Sequence, residues 1–140
     1  MKFSTSKNEL QEALKKLSKA TPLRSTLPVL SCVLVNATNS KTTLITTDLE
    51  LTINIKLSVS IEEEGCAAIP LKQLYNITNE FPDGTRITIS ANSRNKIEIN
   101  TLVGSYDLMG KQKEEFPTTP VIDQKKKIKI LGSVLKEVIN

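Results

Sequence analysis

The sequence predicts an α+β chain in which two short amphipathic helices interrupt a series of β-strands. Three observations carry this expectation. Leu10, Ala13, Leu14 and Leu17 recur at i, i+3, i+4 and i+7, the apolar stripe of a helix. Leu51, Ile53, Ile55, Leu57 and Val59 alternate with Thr52, Asn54, Lys56 and Ser58, the period-two pattern of a strand with one wet face. Turn-forming residues punctuate the rest at short intervals. With 140 residues, the chain has room for one ordinary domain, or one domain and part of another. Its 39% hydrophobic and 24% charged residues place it among globular rather than disordered chains.

The elements follow in order. Lys2-Phe3-Ser4 reads as a short strand. Ser6-Lys7-Asn8-Glu9 fits the capping box S-x-x-E, which starts the first helix. Glu12, Lys15 and Lys19, with Lys16 nearby, lie opposite its apolar stripe. Thr21-Pro22 and Leu27-Pro28 bracket a loop holding Arg24. Val29 to Val35 is nearly continuously apolar and predicts a buried strand. Strands are also expected over Lys41–Thr46 and Leu51–Val59, with turns at Asn36–Ser40 and Asp48–Glu50. Gly65 to Ile69 is a further short strand. Pro70 suits the first turn of a second helix that turns Leu71, Leu74, Tyr75 and Thr78 inward and Lys72, Asn76 and Asn79 outward. Pro82-Asp83-Gly84 stops it. Ile87–Ser90, Lys96–Asn100 and Gly104–Leu108 form a meander, and Glu115 to Pro120 is an extended exit.

The last segment repeats the first. Lys126 to Leu131 alternates as a strand, Gly132-Ser133 can cap, and Val134 to Ile139 begins a helix. Shifted back by 125 positions, Lys127 falls on Lys2, Leu135 on Leu10, Glu137 on Glu12 and Ile139 on Leu14, which suggests a second copy of one unit cut off after its first helix.

Composition excludes several classes of function. There is no histidine, which removes Ser-His and Cys-His nucleophilic pairs and histidine-ligated metal sites. No apolar run approaches 18 residues and the first residues lack an apolar signal core, so the expectation is a cytoplasmic protein without a membrane span. Five aromatic residues are thin for a protein whose main work is stacking single-stranded bases. Cys32 and Cys66 sit in apolar contexts without a CxxC and read as reduced core thiols. Asp48 and Glu50 lack an accompanying base or phosphate loop and read as turn residues. Glu62-Glu63-Glu64 reads as a solvated loop, and Ser6 as a cap. No catalytic constellation emerges, and no cofactor is expected.

Charge is distributed unevenly. Residues 1–24 carry six basic against two acidic side chains, and residues 125–140 five against one, so the middle is net acidic. Such runs are commonly a solvated surface. The sharper reading is a basic helix and loop facing a polyanion. Lys15 and Lys19, four apart on one helix face, present parallel cations, and Arg24 adds a forked donor suited to phosphate. Both readings stand on residues alone.

Six segments then occur together in order: Met1-Lys2-Phe3, Arg24-Ser25-Thr26-Leu27-Pro28-Val29-Leu30, Thr47-Asp48-Leu49-Glu50, Ile69-Pro70, Phe81-Pro82-Asp83-Gly84 and Glu115-Phe116-Pro117. This set resembles the N-terminal domain of the bacterial sliding clamp, the beta subunit of DNA polymerase III. The resemblance spans essentially the whole chain. It implies a DNA-clamp domain of two helices packed on antiparallel β-sheets over residues 1–120, a linker at 121–126, and the opening strand and helix of a second domain at 127–140. It implies a non-catalytic processivity factor. Two protomers would close head-to-tail around duplex DNA, with the helices lining the hole, and tether the replicative polymerase through nonspecific phosphate contacts. By motif, Arg24 matches a DNA-contacting loop arginine; Lys15, Lys19 and Lys72 extend that set by helix geometry. By position, Gln73, Ile77, Tyr106 and Leu108 resemble the protomer interface, the last two on an edge strand. Relatives often carry a basic residue where this chain has Gln73. The pocket for polymerase and clamp-loader peptides belongs to later domains absent from these 140 residues. The competing reading is a self-contained β-rich binding module for protein or single-stranded nucleic acid. A globule of this size has a radius of gyration of roughly 13–15 Å and cannot surround a duplex alone.

Overall fold

The computed structural model describes every residue except Asn39, Ser40, Pro120, Gln124 and Lys126. Its order is β1 (Lys2–Ser6), α1 (Lys7–Leu17), β2 (Cys32–Thr38), β3 (Lys41–Thr47), β4 (Thr52–Ser58), β5 (Ser60–Glu63), β6 (Gly65–Pro70), α2 (Leu71–Asn79), β7 (Arg86–Ala91), β8 (Lys96–Asn100), β9 (Ser105–Met109) and α3 (Gly132–Ile139). Short 3₁₀ turns cover Ser18–Ala20, Pro28–Ser31 and Lys113–Glu115. The strands form two sheets, β5-β1-β7-β8-β9 and β4-β3-β2-β6, antiparallel throughout. The α+β expectation therefore holds.

One apolar core draws on both sheets and both helices. Phe3, Leu14, Val33, Leu44, Leu74, Ile87 and Ile99 are fully buried in it. α1 buries Leu10, Ala13, Leu14 and Leu17, the stripe its periodicity predicts, and packs on α2, β3 and β4. Its start is a side-chain cap: the Ser6 hydroxyl accepts from the Glu9 amide at 3.3 Å. Its end is held as firmly, because the Leu17 carbonyl accepts from the Thr46 hydroxyl at 2.8 Å and the Lys15 carbonyl from Ser18 at 2.8 Å. These bonds satisfy carbonyls that a helix end leaves without an intrahelical partner.

Several expectations are corrected. The apolar run from Val29 does not begin a strand. Pro28, whose fixed φ suits a first helical position, opens a 3₁₀ turn over Pro28–Ser31, and the strand runs from Cys32 through Thr38. The turn expected over Asn36–Ser40 is thus displaced: 36–38 are strand, and Asn39 and Ser40 lie outside the described residues. The acidic run 62–64 is not simply a loop. Glu62 and Glu63 belong to β5, an edge strand pairing with β1, where Lys2 bonds Glu62 at 2.6 Å. Charge on an edge strand discourages pairing with other chains, which reconciles the acids with β-structure. Pro70 ends β6 opposite Cys32 and stands just before α2, its ψ of 112° being extended. In the last segment α3 forms but the strand does not. Residues 127–131 lie in no strand, and Lys126 lies outside the described residues. A strand needs a ladder, and no described neighbour offers one to Ile128 and Ile130. The helix starts at Gly132 after Leu131 with no side-chain cap, so Gly132-Ser133 are its first turn. All its residues are exposed.

The two cysteines are free. Cys32 lies opposite Pro70 while Cys66 lies opposite Asn36, four residues along the same pair of strands. At about 3.3 Å per residue that is on the order of 13 Å, beyond disulfide reach. Asp48 closes its turn by accepting from the Glu50 and Leu51 amides at 3.0 and 2.7 Å. The bond from Leu51, then that from Glu50, holds its carboxyl below the ordinary carboxylate value.

Candidate nucleic-acid interface

The helices and the loop after α1 carry the sequence-predicted cations to the surface. Lys15 sits in the last turn of α1, Lys19 in the 3₁₀ turn that follows, Arg24 in the next loop and Lys72 in the first turn of α2; all four are exposed. Among the described residues none of the four meets an acidic side chain within ion-pair distance. Lys16 differs. Its ammonium bonds Glu12 at 2.6 Å and holds that carboxyl below its ordinary value, so the pair cancels its own charge. The unpaired cations are therefore what the face offers to an external anion.

Two of them share a groove. Lys15 and Lys72 line a cleft of about 450 Å³ between the end of α1 and the start of α2, together with apolar and aromatic Leu71, Tyr75, Pro22 and Leu23 and the hydroxyl residues Ser18, Thr21 and Ser31. Lys19 and Arg24 stand outside its lining. Arg24 follows Leu23 directly, and the loop beyond it is shaped by the Ser25 hydroxyl, which accepts from the Leu27 amide at 3.0 Å. Two side chains join the cations without belonging to any charge pattern. Tyr75, expected inward, is half-buried on the core with the cleft beside it. Leu23 is fully exposed. A signal for Leu23 exists in the sequence: a large apolar residue beside an arginine in a proline-braced loop has no core to join.

The second predicted cluster is divided between α2, where Gln73 follows Lys72 in the first turn and Ile77 lies near the end, and β9. β9 is an edge strand of the five-stranded sheet. Tyr106 and Leu108 stand opposite Ile99 and Ile97, on the strand face that turns toward the core. Tyr106 is 39% exposed, and its ring meets Phe81 edge-on, centroids 5.6 Å apart and planes at 72°. Leu108 and Ile77 are half-buried against the core, and Gln73 is exposed on α2. The opposite face of β9 is ionic. Lys96 bonds Asp107 at 3.1 Å and Glu98 at 3.2 Å, bridging carboxylates that stand directly across the strand pair. The bond to Asp107, then that to Glu98, raises the Lys96 ammonium above its ordinary value.

Beyond Met109 the two sheets are stitched together. The Gly110 amide bonds the Asn95 carbonyl at 2.7 Å, and the Lys111 amide bonds the Ala68 carbonyl of β6 at 2.9 Å. A Cβ at Gly110 would lie 2.7 Å from that Ala68 oxygen, so only glycine fits. Among the described residues no group of three His, Cys, Asp or Glu side chains is placed to hold a metal, and no helix is long and apolar enough to cross a membrane.

Two helices on two antiparallel sheets, with a cationic helix face and an open sheet edge, define a clamp-type domain. Residues 1–120 match the family model of the DNA polymerase III beta subunit, N-terminal domain, and the chain belongs to that family. It is 27% identical over 139 residues to the beta sliding clamp of Chlamydia pneumoniae, covering 99% of this chain and 38% of that protein. It is 29% identical to the beta sliding clamp of Synechococcus elongatus, covering 98% and 37%. The crystal structure of a putative DNA polymerase III beta subunit from Eubacterium rectale superposes with a TM-score of 0.92 at 31% identity, over 99% of this chain and 38% of that one. The chain thus spans somewhat over a third of the length of the relatives it matches.

Proposed function

We propose that this chain supplies the first domain of a DNA-encircling processivity clamp. Residues 1–120 form that domain, 121–126 a linker, and 127–140 the opening of a second domain. The observation that carries the reading is the set Lys15, Lys19, Arg24 and Lys72: exposed, without acidic partners among the described residues, and grouped on α1, α2 and the loop between α1 and β2. Cations so placed bind phosphate oxygens through charge, and such contacts carry no base information. A clamp needs that indifference to sequence in order to slide. The β9 edge, with Tyr106 and Leu108, together with Ile77 and Gln73 of α2, is the surface for a second protomer, whose edge strand would continue the sheet. Gln73 is uncharged and contributes hydrogen bonds there rather than an ion pair. Polymerase and clamp loader act through later domains, and the clamp itself catalyses nothing.

Titration of the 140-residue chain against duplex DNA over a salt series tests the charge assignment. Removing one phosphate-binding cation flattens the plot of log affinity against log salt by about 0.9. Replacing all four cations by alanine should therefore flatten it by about 3–4, equally for unrelated duplexes. An unchanged slope, or a weakening confined to one sequence, refutes the assignment.

A further inference from the structure

We propose that the cleft between α1 and α2 receives one unpaired nucleotide of a DNA strand, its base on the Tyr75 ring and its flanking phosphates on Lys15 and Lys72. This rests on the reading that the cationic face meets DNA, and adds to it a class of DNA that face distinguishes. Three observations combine. The cleft, about 450 Å³, falls in the range of roughly 300–1,000 Å³ typical of small-ligand sites. Its walls combine apolar and aromatic side chains (Pro22, Leu23, Leu71, Tyr75) with the hydroxyl residues Ser18, Thr21 and Ser31 and the two lysines, and no acidic residue lines it. Leu23 is fully exposed at its rim beside Arg24, on a loop that presents an apolar and a cationic side chain together.

A duplex offers phosphates to Lys15, Lys19, Arg24 and Lys72, but keeps its bases stacked and away from Tyr75 and Leu23. An unpaired nucleotide offers both halves: a flat π-face for the ring and leucine, and phosphates for the lysines. Base stacking on an aromatic side chain is tolerant of sequence. A single ring in the cleft limits the site to one base, consistent with a chain poor in aromatics. The occupant fits a junction, where a strand passes from paired to unpaired.

The test is fluorescence anisotropy of the full 140-residue chain at low salt with a labelled dT oligomer and a duplex of equal length. Tyr75→Leu should weaken dT binding by about 10-fold and leave duplex binding within about 2-fold. Tyr75→Phe, which keeps the ring, should bind dT as the parent does. Because Tyr75 also touches the core, Leu23→Ser provides an independent variant: its side chain is wholly in solvent, and it should weaken dT binding several-fold without changing thermal stability. Polyglutamate should compete poorly with dT. Equal weakening for dT and duplex in both variants, absence of dT binding, or competition by polyglutamate as strong as by dT overturns the cleft assignment. Duplex binding that still depends on the four cations would leave the clamp reading standing; duplex binding indifferent to them would remove that reading instead.

Discussion

Gly110→Ala isolates one backbone approach whose cost follows from the structure. The added Cβ would sit 2.7 Å from the Ala68 carbonyl oxygen and 3.1 Å from that of Asn95. Both are main-chain atoms, one in β6 and one in the turn between β7 and β8, so neither can swing aside as a side-chain tip would. Relief requires displacing the chain after β9, which strains the Gly110–Asn95 and Lys111–Ala68 hydrogen bonds. Overpacking of this kind costs about 1–3 kcal/mol, and each hydrogen bond put at risk is worth about 0.5–1.5 kcal/mol. A total of about 1–6 kcal/mol is expected once the gain from restricting the unfolded chain, about 0.4–1 kcal/mol, is subtracted. At roughly 4 °C per kcal/mol for a chain this size, Tm should fall by about 4–24 °C. Thermal unfolding followed by circular dichroism reads this directly. Gly84 provides the contrast. Its φ is 78° with nothing near a new Cβ, so alanine there costs only the left-handed backbone, about 1–2 kcal/mol, and asparagine recovers part of it. A Gly110→Ala Tm within about 2 °C of the parent would show that the stitch between the sheets yields freely, and the steric reasoning would be wrong.

Other perturbations follow the same logic. Ser6→Ala removes the acceptor for the Glu9 amide and should cost about 1 kcal/mol in denaturant unfolding, with an unchanged m-value. Asp48 has its folded carboxyl pKa depressed by backbone amides, so its contribution is present above the unfolded value near 3.8 and is lost as pH falls through the lower folded one. Stability measured at pH 5 and again at pH 2 should therefore differ less in Asp48→Asn than in the parent; an equal difference removes the turn as the cause. Burial raises both thiols, Cys32 being fully buried and Cys66 half-buried. An aromatic disulfide reagent at neutral pH should modify Cys66 slowly and Cys32 only on unfolding, and fast modification of both would contradict the packing of β2 against β6.

How far the sequence can be read depends on the range of the forces involved. α1 is legible in its cap and apolar stripe, which are local and lie within residues 6–17; its end is not, because the helix stops at Leu17, where the distant Thr46 hydroxyl takes the carbonyl, and Lys19, expected on the helix face with Lys15, falls in the 3₁₀ turn that follows. β4 is legible because one wet face imposes a period of two. The Pro28–Ser31 turn is hidden by its apolar residues: Val29 and Leu30 are buried as a strand would bury them, and only Pro28 hints at helical φ. β5 is hidden by its acids, since a single edge strand can be wet on most of its surface when Lys2 and the amino terminus stand beside it. The strand expected before α3 has the right alternation but no ladder. Alternation describes which face a strand would bury, while a strand exists only where a neighbour supplies donors and acceptors.

The candidate site divides along the same line. That Lys15, Lys19, Arg24 and Lys72 are exposed can be inferred from helix geometry and loop composition, because a solvated cation has no competing place to go. That two of them share walls with Tyr75 and Leu23 cannot, since the cleft joins residues 15, 18, 21–23 and 31 to residues 71, 72 and 75 through the packing of α1 on α2. The same distinction separates two chemistries on one surface. Cations alone answer to the uniform charge of a phosphate backbone, and their effect falls smoothly with salt. The cleft adds an apolar surface whose attraction salt screens little, and that a duplex cannot satisfy without unstacking a base at a cost of a few kcal/mol. A strand already unpaired avoids that cost. Preference for unpaired DNA should therefore rise, not fall, as salt is increased and the shared electrostatic attraction is screened. A dT-to-duplex affinity ratio that Tyr75→Leu leaves unchanged at every salt concentration would mean that the lysines alone hold both ligands and that the ring has no part in binding, since single strands lose affinity with salt less steeply than duplexes on charge alone.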